Sequence, residues 1–222
     1  MDPATRELIL RNLWPMLQAT VTKTLPLTFI SFTVGLVLAL FVALARLSRV
    51  VPLSLAARAY VSLIRGTPLL VQLFIVFYAL PQIGVVIDPF PSAVIAFSLN
   101  VGGYAAEVIR AAILSIPKGQ WEAAQTIGMR YPTTLRRIIL PQAARTAVPP
   151  LSNTLISLVK DTSLASTILV TELLRVAQLA AAPTFDFFAL YGVAAIYYWV
   201  ICVILSAAQG RLESRLERYV AR

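Results

Sequence analysis

The chain contains five apolar segments, each about as long as a helix that crosses a lipid bilayer. A helix needs about 20 mainly apolar residues to cross the hydrocarbon core, and none of these segments alternates like a barrel strand. The pattern predicts an all-α membrane protein with five transmembrane helices in a single domain, 1–222. The predicted spans lie roughly at 24–45, 59–80, 92–113, 146–169 and 188–208.

The composition supports a membrane protein and excludes several kinds of chemistry. Of the 222 residues, 59% are hydrophobic and 13% are charged, and the mean hydropathy is +0.80. A soluble domain usually carries about twice that charge. The chain has no histidine, and its one cysteine, Cys202, has no partner for an internal disulfide. With no P-loop and no nucleophile–base pattern either, we expect no catalytic residue, no metal site and no cofactor bound by this chain.

The positive charge predicts the orientation of the chain. A net charge of +9 could indicate a nucleic-acid surface, but twelve of the basic residues fall in 46–58, 114–145 and the tail after 208. Only four fall on the opposite side of the predicted spans, namely Arg6, Arg11, Lys23 and Arg175. Since cytoplasmic loops carry the excess of Lys and Arg, this pattern predicts an outer N-terminus and an inner C-terminus, and no nucleic-acid partner.

The segment 1–23 is predicted to lie outside the membrane core. Leu10, Leu13, Trp14 and Leu17 follow helical spacing and form an apolar stripe. An amphipathic helix with a tryptophan is typical of the membrane interface. We therefore expect a short outer interfacial helix, followed by the first three spans over 24–113.

The connection 114–145 is too long for a structureless loop. Pro117 can begin a helix over Lys118–Ile127, and Gly128 suits the left-handed position that ends such a helix. Pro132 fits the first turn of a second helix, which is predicted to stop at Pro141. The sequence thus predicts a cytoplasmic helical hairpin before the last two spans and the tail, 146–222.

The spacing inside this hairpin resembles the EAA motif of ABC importer permeases. Glu122-Ala123-Ala124 is followed after three residues by Gly128, after nine more by Ile138, and after one more by Leu140-Pro141. The resemblance implies the type I ABC importer transmembrane fold, with coupling helices that dock on a dimer of ATP-binding subunits, which hold ATP and Mg. The alternative is a membrane-surface hairpin without a partner. The implied coupling residues are Gln120, Glu122, Ala123, Ala124, Gly128, Leu140 and Pro141.

Other segments resemble the polar amino acid branch of these permeases. The stretches "YVSLIRGTPLLVQLF", "SIPKGQWEAA" and "LPQAARTAVPPLSNTLISLVKDTSL" carry this similarity, with cystine permeases the nearest in kind. The resemblance implies a periplasmic or extracellular amino acid-binding protein, a second permease copy as homodimer or heterodimer, and a bacterial inner membrane. The alternatives are another polar substrate (glutamine, histidine, arginine or an opine), an ion-gradient secondary transporter, or a receptor subunit that does not transport.

Polar side chains inside two predicted spans are candidates for a substrate pathway, because ionisable groups are costly at membrane depth. In the third span, Asn100, Tyr104 and Glu107 share one helix face, with Arg110 just off it. Glu107 and Arg110 can pair, so a buried structural ion pair is the alternative to a pathway.

The fourth span contains the run Lys160, Asp161, Thr162 and Ser163. It offers both charges that a zwitterionic amino acid needs, and "VPPLSN" just before it can break the helix and free backbone groups. The alternative is polar contact between helices. A further break is predicted at "RGTP", 65–68, where Gly66 and Pro68 interrupt the second span.

Overall fold

The computed structural model describes residues 3–217, which form helices and no strand. The all-α class predicted from the sequence is therefore confirmed for this part of the chain. Arg218 and Arg222, counted above with the inner basic residues, lie outside the described residues. The helices are α1 (Pro3–Leu47), α2 (Val51–Gly66), α3 (Leu69–Ile83), α4 (Pro89–Leu114), α5 (Lys118–Thr126), α6 (Tyr131–Ile168), α7 (Leu173–Ala181) and α8 (Phe187–Glu217).

The described helices provide between three and five candidate membrane spans, judged by length and hydropathy. The helices α1, α4 and α8 pass this test alone. Two bent pairs pass it together: α2 with α3, which meet at 107°, and α6 with α7, which meet at 49°. The count reaches the predicted five if each bent pair crosses the membrane once.

The expected separate helix at the N-terminus is not present. α1 continues from Pro3 to Leu47 through a π-helical turn at Thr20–Thr24. The Thr20 hydroxyl donates to the carbonyl of Met16 at 2.8 Å, which helps to satisfy the backbone beside this irregular turn. The residues before the predicted first span therefore continue the same helix, and Trp14 is 70% exposed.

α4 lies at the centre of the main apolar core, and α1, α2 and α6 pack around it. Small residues allow this close approach. A Cβ added to Gly35 of α1 would lie 2.6 Å from the Val101 side chain, and one added to Gly103 would lie 2.5 Å from Ile64 of α2. These contacts bring both α1 and α2 close to α4.

The structure confirms the predicted break at 65–68 and corrects its surroundings. Thr67 and Pro68 have extended backbones, so the chain turns sharply between α2 and α3. However, α2 already begins at Val51, so most of the predicted loop 46–58 is helical. Only the short link between Leu47 and Val51 remains outside the helices.

Two predicted helix ends are wrong. α6 does not stop at Pro141, because a π-helical turn at Leu135–Ile139 precedes it, and the α-helix continues over Leu140–Asp161. Nor does "VPPLSN" break the helix, since Pro149 and Pro150 lie inside it. The α-helix instead changes to a 3-10 helix at Thr162–Ile168.

Candidate functional site

The predicted turn of the 117–141 hairpin is present. Pro117 precedes α5, and Gly128 follows it with a φ of 76°. The Gly128 amide donates to the carbonyl of Gln125 at 2.9 Å, and the Met129 amide donates to that of Ala124 at 3.0 Å. These bonds satisfy the end of α5, and glycine adopts the left-handed backbone at little cost.

The hairpin is fixed on α6 by side-chain contacts. The Trp121 ring stacks on Tyr131 with the ring centroids 5.5 Å apart. Trp121 also packs against the apolar cluster that contains Ile113 and Ile139, and Ala124 is buried. Gln142 donates to Gln120 at 3.4 Å. A movement of α5 would therefore be transmitted to α6.

One face of the hairpin is largely exposed in the described residues. Glu122, Ala123 and Pro141 are exposed, Leu140 is half-buried, and Ile127 is 74% exposed. Ile127 therefore adds apolar surface beside the exposed Glu122 and Ala123. The EAA pattern thus combines residues that build the turn, such as Ala124 and Gly128, with residues left free on its surface.

A polar cleft of about 450 Å³ lies where the α2–α3 break faces α4 and α6. Its walls combine amide, hydroxyl and carboxylate groups with apolar side chains. A cleft of this type can bind a small polar molecule. The lining residues are Thr67, Pro68, Leu69, Asn100, Val101, Tyr104, Asn153, Thr154, Ser157, Leu158, Asp161 and Leu164.

Of the predicted pathway residues, Asn100, Tyr104 and Asp161 line this cleft. Lys160 is exposed and does not line it, so the two charges expected to act together are separated. Thr162 is buried and donates to the carbonyl of Val159 at 2.6 Å, and Ser163 donates to that of Lys160 at 2.7 Å. These hydroxyls satisfy the end of the α-helix instead of facing the cleft.

Glu107 and Arg110 form the predicted ion pair, and the structure adds two arginines to it. Arg110 donates to both carboxylate oxygens of Glu107, at 3.2 and 3.3 Å. Arg46 of α1 contacts the same carboxylate, and Arg65 of α2 lies 3.7 Å from it. The cluster links three helices beside the cleft without lining it. This arrangement favours the structural interpretation of the Glu107–Arg110 pair.

Gln72 is the principal residue that sequence reasoning missed. It is buried in α3, and its amide nitrogen donates to the carbonyls of Ile64 and Thr67, at 2.8 and 3.1 Å. Its oxygen accepts from Asn100 at 3.1 Å. Gln72 therefore satisfies the carbonyls freed at the break and connects the break to α4. Its position as the polar residue in "TPLLVQLF" was the available signal.

A second missed residue, Glu172, is fully buried at the start of α7. Its carboxylate accepts from the amides of Leu174 and Arg175, at 2.9 and 2.7 Å, and from the Tyr198 hydroxyl at 2.7 Å. These bonds cap α7 and hold it against α8. The signal was a Glu directly before the apolar helical run "LLRVAQLAA".

Comparison with known proteins now identifies the family. Residues 35–218 match the model for the inner membrane component of binding-protein-dependent transport systems. The chain belongs to this family. The match includes the hairpin, the α2–α3 break and the polar cleft, so these features fall within the part that the family shares.

The relatives are amino acid permeases. The chain is 59% identical over 217 residues to the L-cystine transport system permease protein TcyB of Bacillus subtilis, which covers 97% of this chain and 93% of that protein. It is 36% identical to the arginine transport system permease protein ArtQ of the same organism, over 91% of this chain and 93% of that one. These matches confirm the predicted family and favour an ATP-driven importer over a secondary transporter.

A solved structure supports the fold. A crystal structure of an amino acid ABC transporter with histidines superposes with a TM-score of 0.87 and 35% identity, covering 93% of this chain and 96% of that chain. The helices described here therefore form the type I ABC permease fold. The chain is an amino acid ABC importer permease; its relatives are permease subunits rather than enzymes, and in such systems a separate subunit hydrolyses ATP.

Proposed function

We propose that this chain forms the membrane pathway of an importer for L-cystine or a closely related polar amino acid. The similarity to TcyB, 59% over 97% of the chain, is the observation that carries the proposal. The cleft supports it, because it offers a carboxylate at Asp161, an amide at Asn100 and hydroxyls at Thr154 and Ser157. Asp161 would hold a substrate ammonium group, and the neutral donors would face its carboxylate.

The proposed mechanism is alternating access driven by a partner ATPase. The exposed face of the hairpin, with Glu122, Ala123 and Ile127, would seat on the ATP-binding subunit dimer. α6 runs without interruption from Tyr131, which stacks on Trp121, to Asp161 in the cleft. Closure of the ATPase around ATP and Mg would therefore move the wall of the cleft directly, and so open it to alternate sides.

The other proposed components follow from the family and the charge pattern. A periplasmic or extracellular binding protein would deliver substrate, and a second permease copy, identical or similar, would complete the pathway. We place the chain in a bacterial inner membrane, with the hairpin and the C-terminus inside, because the excess of Lys and Arg lies on that side.

A Gly128→Asp substitution tests the coupling role. An aspartate at a φ of 76° is strained, and its charge would lie at the proposed docking surface. We expect uptake of radiolabelled cystine into proteoliposomes with the ATPase and binding protein to fall at least about 100-fold, a loss of about 2.7 kcal/mol in coupling. Recovery of the ATPase on the tagged permease should fall as well.

Gly210→Asp is the matched control, because Gly210 has open space around it and no positive φ. It should retain uptake and ATPase recovery. Normal cystine uptake by Gly128→Asp would contradict the coupling role. Uptake of arginine or glutamine in preference to cystine by the unmodified importer would contradict the proposed substrate while leaving the coupling role intact.

A further inference from the structure

A polar pocket of about 320 Å³ lies where α1 ends and α2 begins. Within the described residues, its two arginines, Arg49 and Arg58, have no salt-bridge partner, since the ion pairs found there all involve Glu107. The pocket therefore presents two guanidinium groups without a counter-ion, which favours an anion. Its lining residues are Ser48, Arg49, Val51, Ser54, Leu55 and Arg58.

The hydroxyls of this pocket fix its shape. The Ser48 oxygen accepts from the Val50 amide at 3.1 Å, which leaves its own proton free for an acceptor. Ser54 is buried and donates to the carbonyl of Arg46 at 3.2 Å, across the link between the helices. Two bonds thus hold the short link in place, and the pocket combines a free hydroxyl donor with two cations.

An apolar groove of about 550 Å³ continues from this pocket between α1 and α2, and Ser48 lines both. The groove has apolar walls, and Phe41 is 66% exposed at its side. Its principal lining residues are Phe41, Val42, Leu44, Leu53, Ala56 and Ala57. A cationic pocket and an apolar groove therefore share one edge.

We propose that this α1–α2 site binds an anionic phospholipid of the inner leaflet, with its phosphate between Arg49 and Arg58 and an acyl chain in the groove. An amphiphile uses both parts of the site, whereas a free anion leaves the groove empty and a neutral lipid leaves the arginines without a counter-ion. Basic pockets beside membrane helices on the cytoplasmic side suit such headgroups. The proposal uses the inner placement of 46–58 but not the identity of the transported substrate.

The site adjoins the elements that build the cleft. α2 leads from this pocket to the break at Gly66, and Arg46, next to the link, contacts Glu107 of α4. A bound lipid would hold the start of α2 against α1, and so would stabilise the position of the helix that leads to the break. Anionic lipid is therefore expected to stabilise the permease, and this effect should be separable from ATPase docking.

The assembled importer, delipidated in detergent, tests the role of the charge in the pocket. It is titrated with phosphatidylglycerol or phosphatidylcholine, and native mass spectrometry measures the bound lipid. Each arginine near a membrane surface contributes about 1 kcal/mol, so Arg49→Gln/Arg58→Gln should weaken phosphatidylglycerol binding about 30-fold. Phosphatidylcholine binding should not change. The control, Arg211→Gln/Arg215→Gln, removes the same charge from exposed positions of α8 and should leave both unchanged.

The groove is tested separately with Ala56→Trp, which fills it without altering charge and should also weaken phosphatidylglycerol binding. Leu63→Trp, at an exposed position of α2 outside the groove, is its control. Inorganic phosphate in large excess should not displace the lipid. Displacement would show that the pocket binds a free anion and would overturn the proposal. Lipid binding unchanged by Ala56→Trp would also overturn it, because the acyl chain would then not occupy the groove. Equal lipid binding by Arg49→Gln/Arg58→Gln and its control would overturn the proposal as well. So would an arginine variant that loses a protein subunit of the importer while its lipid binding stays unchanged.

Discussion

Pro68 and Pro141 affect the chain differently: the backbone bends sharply at Pro68, between two helices, whereas the helix continues through Pro141. At Pro68, α2 and α3 meet at 107°. At Pro141, α6 remains one helix from Tyr131 to Ile168. The first proline shapes the polar cleft, and the second lies on the helix that connects the hairpin to that cleft.

The difference depends on how each region satisfies its backbone. At Pro68 the chain is extended, and the carbonyls of Ile64 and Thr67 accept from the Gln72 side chain. Before Pro141 a π-helical turn widens the helix, and the Leu140 amide donates to the carbonyl of Leu135. Such a turn accommodates an irregularity within a helix. The bend thus depends on a side chain of α3, whereas the continuous helix depends on its own backbone.

The largest effect is expected for Gln72→Leu. The leucine leaves the carbonyls of Ile64 and Thr67 and the Asn100 amide without their partner, and each unsatisfied buried group costs about 1–3 kcal/mol. We expect the free energy of unfolding to fall by about 3 kcal/mol and uptake to be lost. Thermal unfolding in detergent measures the first, and the exposed Gln82→Leu is the control. A variant as stable as wild type would show that the bend does not need this cap.

A smaller loss is expected for Glu107→Gln. The neutral amide leaves Arg46 and Arg110 without their shared counter-ion in a half-buried cluster. The free energy of unfolding should fall by about 2 kcal/mol, less than for a fully buried pair because water reaches the cluster. Glu7→Gln, at an exposed position outside any salt bridge found in residues 3–217, should have no effect in the same thermal assay. Equal melting of the two variants would argue against the cluster as a support of the bend.

Tyr60→Phe should cost less again. The Tyr60 hydroxyl donates to the carbonyl of Leu99 at 2.6 Å and ties α2 to α4 near the bend. Loss of one such bond typically costs about 1 kcal/mol. Tyr78→Phe removes a longer, exposed bond to Thr167, 3.3 Å, and is the comparison in the same unfolding experiment. If both substitutions lower the free energy of unfolding equally, the bond between α2 and α4 stabilises the protein no more than the exposed bond does.

The smallest effect is expected for Pro141→Ala. The helix already continues through this position, so in the same thermal unfolding assay the alanine should change the free energy of unfolding by no more than about 0.5 kcal/mol. Pro68→Ala provides the contrast, because it removes the constraint that favours the extended backbone at the bend. Comparable losses for the two alanine variants would remove the distinction drawn between the two regions.

Sequence reasoning succeeded where near neighbours decide the structure. It predicted the helical class, the turn at Gly128 and the break at Gly66–Pro68, and the EAA spacing led to the family. It failed where several local signals compete. Pro141 is a strong helix terminator in isolation, and nothing in the neighbouring residues showed that a π-helical turn at Leu135–Ile139 would accommodate it.

The cleft was predicted only in part for a related reason. Asn100, Tyr104 and Asp161 were found because polar groups are conspicuous in apolar spans, but helix rotation places Lys160 outside the cleft. Asn153, Thr154 and Ser157 lie on the same wall as Asp161, although their hydroxyl and amide groups are common in helices and gave no distinct signal.

The sequence alone determined the helical class, the family and the local chemistry of the hairpin, because hydropathy and glycine and proline geometry act over a few residues. Only the tertiary structure decided which groups share the Glu107 carboxylate, what caps the carbonyls at the bend, and where Arg49 and Arg58 lie relative to an apolar groove. The Glu107 cluster joins residues about 40 to 60 positions apart, and the other contacts cross from one helix to the next. They depend on the packing of α1, α2 and α4 around one another, which no local pattern encodes.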